Sequence, residues 1–181
     1  MKGVIVYKGK YGATQQYAAW LGEELHLPVY TAHDPTIENI SAYDFVVAGG
    51  SVYMGKLQIK NWLLEHELLL QQKKMFLFIV CGTPASEKEK LEKIVRENLP
   101  ASLVGSCTVY FLPGRVIHQQ LSWRDNMMLK LGAMLTKNPR DKKNMLKEFD
   151  LVKKEYTGTL VAAVKSLPVE KTETVLSKQQ V

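Results

Sequence analysis

Short apolar runs alternate along the chain with longer segments in which apolar residues recur every three or four positions. Runs of this kind that are rich in β-branched or aromatic residues and carry no charge at their centre predict strands buried on both faces. They cover Lys2–Tyr7, Pro28–Thr31, Asp44–Gly49, Met75–Val80 and Ser106–Leu112. Because helical patterns separate these runs, the sequence predicts an α/β domain whose five-stranded parallel sheet is covered by helices on both faces.

The helical segments can be bounded in the same way. The first helix presents Tyr17, Trp20, Leu21 and Leu25 on one side, and a second helix runs to about Leu70. Right-handed crossovers between parallel strands leave few arrangements of such elements. We predict the doubly wound strand order 2-1-3-4-5.

Two further helices are predicted in the second half of the chain. The form of Ser86–Glu89 is that of a capping box, which opens a helix ending near Asn98. The last helix is predicted from about Asn144 to Ser166. Its sheet-facing side is formed by Leu146, Phe149, Val152, Tyr156, Leu160 and Val164.

One domain is predicted over residues 1–167, followed by a loose tail over 168–181 that has little to pack. About thirty residues between the fifth strand and the last helix, Pro113–Lys143, exceed what a minimal domain of this type needs, and they predict an additional helix before the last one.

The additional helix is predicted within Ser122–Lys137 and is rich in methionine. It carries Trp123, Met127, Leu131 and Leu135 at i, i+4 spacing. Two interpretations stay open at this point. The stripe packs on the core of the domain itself, or it forms a docking, homodimerisation or substrate surface. Three flanking cations, Arg124, Lys130 and Lys137, would suit contact between residues 122–137 and an anionic membrane.

The net charge of +6 and the pI near 9.2 indicate an anionic partner, either a phosphate-bearing ligand, an acidic protein, nucleic acid or a lipid surface. No spacing typical of a nucleic-acid-binding module is present, so we predict no nucleic-acid partner. The four histidines lack metal-ligand spacing, and no metal site is predicted. Asp125 and Arg124 are expected to pair with each other or with solvent.

No secretion signal is visible, and the apolar runs are far shorter than the roughly 20 residues of a membrane-spanning helix. A cytoplasmic protein is predicted. Cys81 and Cys107 would lie at opposite ends of neighbouring parallel strands, so both are expected to be free thiols.

The chemistry is expected where strand order reverses, beyond the carboxyl ends of strands 1 and 3. The first loop there contains Gly9, Lys10, Tyr11, Gly12, Ala13 and Thr14. Its glycines, inward amides, helix N-terminus and threonine hydroxyl suit a phosphate monoester. A plain strand-to-helix turn is the alternative. The spacing matches neither a nucleoside-triphosphate loop nor a dinucleotide fingerprint.

Two more loops border the same point. The second contains Ser51, Val52, Tyr53, Met54 and Gly55. There the tyrosine can stack on a planar ring or simply pack on the next helix. The third contains Cys81, Gly82, Thr83 and Pro84, which either close the pocket or only begin a helix.

The segment Tyr7–Thr14 resembles the phosphate loop of the flavodoxin superfamily, and Asp44–Lys56 resembles its third strand and isoalloxazine loop. The resemblance covers residues 1–165 and extends to the flavodoxin-domain branch that includes menaquinone-dependent protoporphyrinogen oxidases. In that branch, Gly114-Arg115 and Leu121–Lys130 also have counterparts. Many flavodoxins carry hydroxyl side chains where this chain has Gly9 and Tyr11.

This resemblance implies a flavodoxin-like fold and FMN as cofactor, with the phosphate on residues 9–14 and the ring between loops 50–56 and 81–84. It implies an FMN-dependent oxidoreductase that passes electrons from a small or tetrapyrrole-like donor to an acceptor such as a quinone. We assign no catalytic residue, because FMN carries the redox chemistry. The alternatives are an electron shuttle for a redox partner protein and a non-catalytic interaction domain. Peripheral attachment to the inner face of the membrane is a further expectation.

Overall fold

A parallel sheet forms the centre of the computed structural model, which describes residues 1–34, 40–136, 138–139, 142–143 and 146–168. The strands are β1 (Gly3–Lys8), β2 (Val29–Thr31), β3 (Phe45–Tyr53), β4 (Lys56–Leu57), β5 (Lys74–Cys81), β6 (Cys107–Pro113), β7 (Arg115–Val116) and β8 (Phe149–Asp150). The helices are α1 (Ala13–Leu25), α2 (Lys60–Glu65), α3 (Glu67–Leu70), α4 (Lys88–Asn98), α5 (Ala101–Val104), α6 (Trp123–Leu135) and α7 (Gly158–Lys165).

The main strands run parallel in the order β2-β1-β3-β5-β6, and β4 adds an antiparallel partner to the end of β3. This confirms the predicted order 2-1-3-4-5 of the five main strands and the α/β, doubly wound, flavodoxin-like fold. Strand order reverses between β1 and β3, so their carboxyl ends border the crevice in which such sheets bind ligands.

Successive residues of the buried strands supply two separate apolar layers, because side chains alternate between the faces of a sheet. On one face Val46 and Ala48 pack with Trp62 of α2. On the other face Val47 packs with Tyr17 of α1 and with α7. Each fully buried large apolar side chain contributes about 1.5–3 kcal/mol to folding, so these layers hold the strand ends in fixed positions.

Strand β3 is longer than the sequence predicts. The predicted strand ends at Gly49, whereas the observed strand continues to Tyr53 and returns through a two-residue turn to β4, with Tyr53 paired to Lys56. The turn requires positive φ at both central residues, and Met54 and Gly55 have φ of 50° and 76°. Methionine is an unusual residue at such a position, which is why the pattern did not indicate a hairpin.

Helix α4 ends at Asn98 as predicted, but the expected capping box is wrong. The helix begins at Lys88, after Glu87, and no side chain caps its first turn. The amide of Glu87 instead donates to the carbonyl of Pro84 at 3.0 Å. This turn takes up the residues that the capping box would have used.

The predicted last helix is also wrong in its first half. Its proposed start at residue 144 lies outside the described residues, and Phe149–Asp150 forms β8, which pairs antiparallel with β7. The observed helix begins only at Gly158, after a 3-10 turn. Apolar spacing of about four residues fitted a helix, but pairing with a strand more than thirty residues away determines the structure there.

The additional helix is confirmed as α6, inside the predicted range. The Ser122 hydroxyl caps it by accepting from the amide of Asp125 at 3.2 Å. Both cysteines are free thiols, and the register places Cys81 and Cys107 at opposite ends of β5 and β6, as predicted. Within the described part of the chain, no helix is long and apolar enough to cross a membrane. The tail after Pro168 lies outside the described residues.

Candidate functional site

The turn between β1 and α1 presents an uncapped helix N-terminus. Gly12 precedes the helix with φ of 78°, no side chain caps the first turn, and that turn contains no acidic residue. Thr14 is 1% exposed, and its hydroxyl oxygen has no hydrogen-bond partner among the described residues. Free backbone amides, the positive end of the helix dipole and an unpaired hydroxyl together form a site suited to an anion.

Gly9 is required by the position of this threonine. A Cβ atom built at Gly9 would lie 2.6 Å from both the Cβ and the hydroxyl oxygen of Thr14. The loop therefore places the hydroxyl of Thr14 in the space that a side chain at residue 9 would occupy. Any hydroxyl contribution to anion binding at this position comes from Thr14.

The β3–β4 hairpin forms the next part of the site. The buried amide side chain of Asn98 fixes it, accepting from the amide of Leu57 at 2.9 Å and donating to the carbonyl of Gly55 at 2.9 Å. The Ser51 hydroxyl, nearby on β3, is buried without a hydrogen-bond partner among the described residues. The strained turn at Met54 is thus held from α4, and Tyr53 is held beside the carboxyl end of β1.

A cavity of about 280 Å³ lies beyond the ends of β1, β3 and β5. Ten of the predicted site residues line it: Lys10, Tyr11, Ala13, Thr14, Ser51, Val52, Tyr53, Met54, Cys81 and Gly82. We call these ten residues the loop wall. The other five predicted residues, Gly9, Gly12, Gly55, Thr83 and Pro84, lie in the same loops but are not part of the cavity lining. The structure thus brings the three predicted loops together around one cavity.

The opposite side of the cavity was not among the predicted site residues. It consists of Gly114, Arg115, Val116, Leu121, Asp125, Met128, Leu129, Gly132 and Phe149, which we call the α6 wall. The only sequence signal for this wall was the resemblance of Gly114-Arg115 and Leu121–Lys130 to segments of the flavodoxin-domain branch. Phe149 had been predicted to face the sheet from a helix.

The strand pair β7–β8 places the α6 wall over the loop that follows β5. The amide of Gly114 donates to the carbonyl of Cys81 at 3.0 Å, and the ring of Phe149 lies over Gly82, where a Cβ atom would be only 2.9 Å from it. Burial raises the pKa of the Cys81 thiol, so this side chain presents a neutral thiol to the cavity.

Asp125 connects the two walls. Its carboxylate is 2.6 Å from the ammonium of Lys10 and accepts a hydrogen bond from the hydroxyl of Tyr53. The Lys10 ammonium also lies 4.2 Å from the centre of the Tyr53 ring. The hydrogen bond to Asp125 is the main reason that the pKa of Lys10 is raised above its usual value. One buried carboxylate on α6 thus holds a residue from each of the first two loops.

This contact corrects the predicted pairing of Asp125 with Arg124 or with solvent. Asp125 is 7% exposed and turned inward, whereas the guanidinium of Arg124 lies 5.5 Å from the centre of the Trp123 ring. Residues that are 115 positions apart in the chain meet here, and no local pattern could indicate it.

Arg115 adds a second cation on the α1 side of the cavity. Its guanidinium donates to the side chain of Gln16 in the first turns of α1, and its Nε is 3.5 Å from a carboxylate oxygen of Asp150. Because Arg115 also lines the cavity, the α6 wall adds positive charge near the uncapped helix N-terminus.

The stripe on α6 does not pack on the core. Trp123, Met127, Leu131 and Leu135 are 70%, 47%, 45% and 82% exposed. The inward side of the helix is formed by Asp125, Leu129, Gly132 and Ala133 instead. Of the two interpretations left open by the sequence, core packing is therefore wrong.

Comparisons with known proteins give one family and several solved structures. The sequence profile of the flavodoxin domain matches residues 4–143. Solved structures with similar folds include flavodoxin 2 from Bacillus cereus (16% identity, 91% of this chain and 99% of that chain covered, TM-score 0.46). They also include a flavodoxin from the domain Archaea (16% identity, 70% and 93% covered, TM-score 0.43).

A third structure, rubredoxin oxygen:oxidoreductase from Desulfovibrio gigas, has 13% identity, with 91% of this chain and 36% of that chain covered and a TM-score of 0.44. None of the curated proteins compared with the chain matches it. The assignment rests on the sequence profile, which spans more than half of the residues. The chain belongs to the flavodoxin domain family.

Proposed function

We propose that the cavity binds FMN and that the chain is an FMN-dependent oxidoreductase. The observation that carries this proposal is the buried hydroxyl of Thr14, which has no hydrogen-bond partner among the described residues and lies in the first turn of an uncapped helix. A phosphate group would accept hydrogen bonds from that hydroxyl and from the amides of the turn. Membership of the flavodoxin domain family supports a flavin as the ligand.

The residues of the loop wall suit the rest of such a ligand. Tyr53 offers an aromatic face beside an apolar cavity, and the unpaired hydroxyl of Ser51 can bond to a polar group of the ligand. The cavity volume of about 280 Å³ lies just below the range of about 300–1,000 Å³ for ligand pockets.

Binding of the FMN phosphate would depend on fewer side chains than in many flavodoxins. Gly9 has no side chain, so the hydroxyl donors left in this loop are those of Thr14 and Tyr11, both buried without a partner among the described residues. Arg115 would compensate in part, since its guanidinium lies near the first turns of α1 and attracts anions at short range.

Bound FMN would supply the transfer of one or two electrons. The contribution of the chain is to bind and orient the flavin, to keep a neutral thiol at Cys81 and to enclose the cavity with the α6 wall. Because α6 presents Met128 and Leu129 to the cavity, we propose an apolar reaction partner such as a quinone. Protoporphyrinogen is the donor to test first, on the resemblance of Gly114-Arg115 and Leu121–Lys130.

The test is a titration of flavin-free protein with FMN and, separately, with riboflavin, followed by flavin fluorescence. Thr14→Val keeps the shape of the side chain and removes the hydroxyl. A hydrogen bond to a charged group contributes about 1.5–3 kcal/mol, so FMN should bind about 10- to 100-fold more weakly, with riboflavin unchanged. The control is Thr108→Val, at an exposed position of β6 away from the cavity.

Absence of saturable FMN binding by the unchanged protein would contradict the proposal and favour a non-catalytic interaction domain. If FMN binds, the reduced flavoprotein is mixed with a soluble quinone and with an electron-accepting protein. Faster oxidation by the quinone is the expected result, whereas oxidation by the protein alone would favour an electron shuttle.

A further inference from the structure

The outer side of α6 combines large apolar residues with cations. We define the outer face of α6 as Trp123, Arg124, Met127, Lys130, Leu131, Met134 and Leu135, all of them exposed. At 3.6 residues per turn these seven residues fall within about 140° of the helix circumference. The apolar members run from the first residue of the helix to the last, a length of roughly 20 Å. Apolar residues placed together in this way mark an interaction site.

The outer face carries no carboxylate. The one acidic residue of α6, Asp125, is turned inward and held by Lys10 and Tyr53, so Arg124 and Lys130 stand on the outer face without a neighbouring acid from their own helix. Residues 121–154 contain nine lysines and arginines against four aspartates and glutamates, whereas the rest of the chain contains fifteen against fourteen. Nearly all of the excess positive charge is in this part of the sequence.

The exposed apolar residues and the cations together decide which of two partners suits the outer face, a second copy of the chain or a lipid surface. A second copy of the chain packed through the same surface would bring the cations of α6 next to their own equivalents, and like charges in contact oppose association. An anionic lipid surface complements the charge. It also accepts the exposed apolar side chains and tryptophan without a shaped pocket, because the boundary between headgroups and acyl chains takes up apolar residues and neighbouring cations together. Arg124 and Lys130 are long enough to reach headgroups while their stems stay on apolar surface.

We propose that the outer face of α6 binds the surface of a bilayer that contains anionic lipids. The inner side of the same helix lines the cavity through Met128, Leu129 and Gly132. Binding would therefore bring the cavity to the lipid, where a lipid-soluble electron acceptor is dissolved. This last consequence rests on the proposed function, whereas the binding itself does not.

The experiment is cosedimentation of the full chain with vesicles of phosphatidylcholine alone and of phosphatidylcholine mixed with phosphatidylglycerol, with and without FMN. Binding is expected only to the anionic vesicles. The double variant Arg124→Glu/Lys130→Glu should bind at least thirtyfold more weakly, since each cation near an anionic surface contributes a factor of about five. The control, Lys88→Glu/Lys93→Glu on exposed positions of α4, changes the net charge equally and should bind as the unchanged chain does.

A second pair of variants tests the apolar part. Leu131→Gln/Leu135→Gln should weaken binding more than tenfold, because two large side chains lose a favourable transfer from water. The matched control is Leu64→Gln/Leu68→Gln, at two exposed leucines of α2 and α3. All four variants remove side chains that are already exposed, so the fold should be retained, which circular dichroism would verify.

Equal loss of binding in the α4 control would show that net charge alone attracts the chain, and the proposal would be wrong. No binding of the unchanged chain to anionic vesicles would also overturn it and would leave an acidic protein as the partner of this face. The FMN titration contains no vesicles and the sedimentation without FMN contains no flavin. Failure of the membrane proposal can therefore be told apart from failure of the proposed function.

Discussion

The loop wall and the α6 wall enclose the same cavity but are built in different ways. Every residue of the loop wall lies within a few positions of the end of β1, β3 or β5, so the buried sheet positions it directly. The α6 wall is attached by the short strand pair β7–β8 and by the contacts of Asp125. A rigid scaffold thus supplies one side of the site, and a few specific contacts attach the other. Under the proposed function, the loop wall would bind the cofactor and the α6 wall would select its reaction partners.

Among changes that affect the loop wall, Gly9→Ser should have the largest effect on stability. It introduces a hydroxyl side chain, as many flavodoxins have at this position. Its Cβ would lie 2.6 Å from two side-chain atoms of the buried Thr14. Overpacking of this kind costs about 1–3 kcal/mol, and we expect about 3 kcal/mol in urea unfolding, together with weaker FMN binding. Gly105→Ser is the control, since a Cβ atom there would meet nothing within 4 Å. Tighter FMN binding by Gly9→Ser would contradict our account of this loop.

The corresponding change in the α6 wall is Phe149→Ala, which removes the ring that lies over Gly82. Full burial would give a loss of about 3–5 kcal/mol. Because Phe149 is only half-buried, we expect about 2 kcal/mol in urea unfolding. Affinities for FMN and riboflavin should fall by the same factor, in contrast to Thr14→Val, which should affect FMN alone. Phe149→Leu retains most of the volume and should lose less than half as much. A loss confined to FMN would mean that this wall contacts the phosphate.

The difference between the walls also explains what the sequence could predict. The strands around Val46, Leu77 and Val109 are apolar runs that read as buried strands on their own, and their order follows from general rules of handedness. The signal of the first loop, residues 9–14, is equally local. The contact of Asp125 with Lys10, and the pairing of Phe149 with Val116, depend on residues far apart in the chain. Such pairs leave no periodic signal, so the predicted site included ten cavity residues and none of the α6 wall.

The link between the walls is tested by Asp125→Asn. The pair with Lys10 is partly exposed, with the lysine side chain 39% exposed, so its contribution is limited to about 1 kcal/mol. The pKa of Lys10 is raised in the folded chain, so this stabilisation is fully present below the unfolded value of about 10.4. It is lost as the pH rises through the folded value.

The free energy of unfolding of Asp125→Asn should therefore lie about 1 kcal/mol below that of the unchanged chain at neutral pH. The gap should narrow above about pH 10.4. A double-mutant cycle of Asp125→Asn, Lys10→Met and the double variant isolates the interaction energy between the two side chains from the other effects of each substitution. A coupling of zero at neutral pH would mean that the ion pair does not hold α6 to the first loop.

The smallest effect concerns the hairpin of the loop wall, the one part of that wall that the sequence did not indicate. Met54 has φ of 50°, a conformation that asparagine adopts more readily than other side chains. Met54→Asn should raise the free energy of unfolding by about 0.5 kcal/mol. Replacing a residue that is unfavourable for its backbone conformation commonly has an effect of this size. Met54→Leu, which has the same backbone preference as methionine, should leave it unchanged. If asparagine destabilises the chain instead, the exposed methionine contributes more by contact at the mouth of the cavity than it costs in strain, and the turn was selected for its side chain.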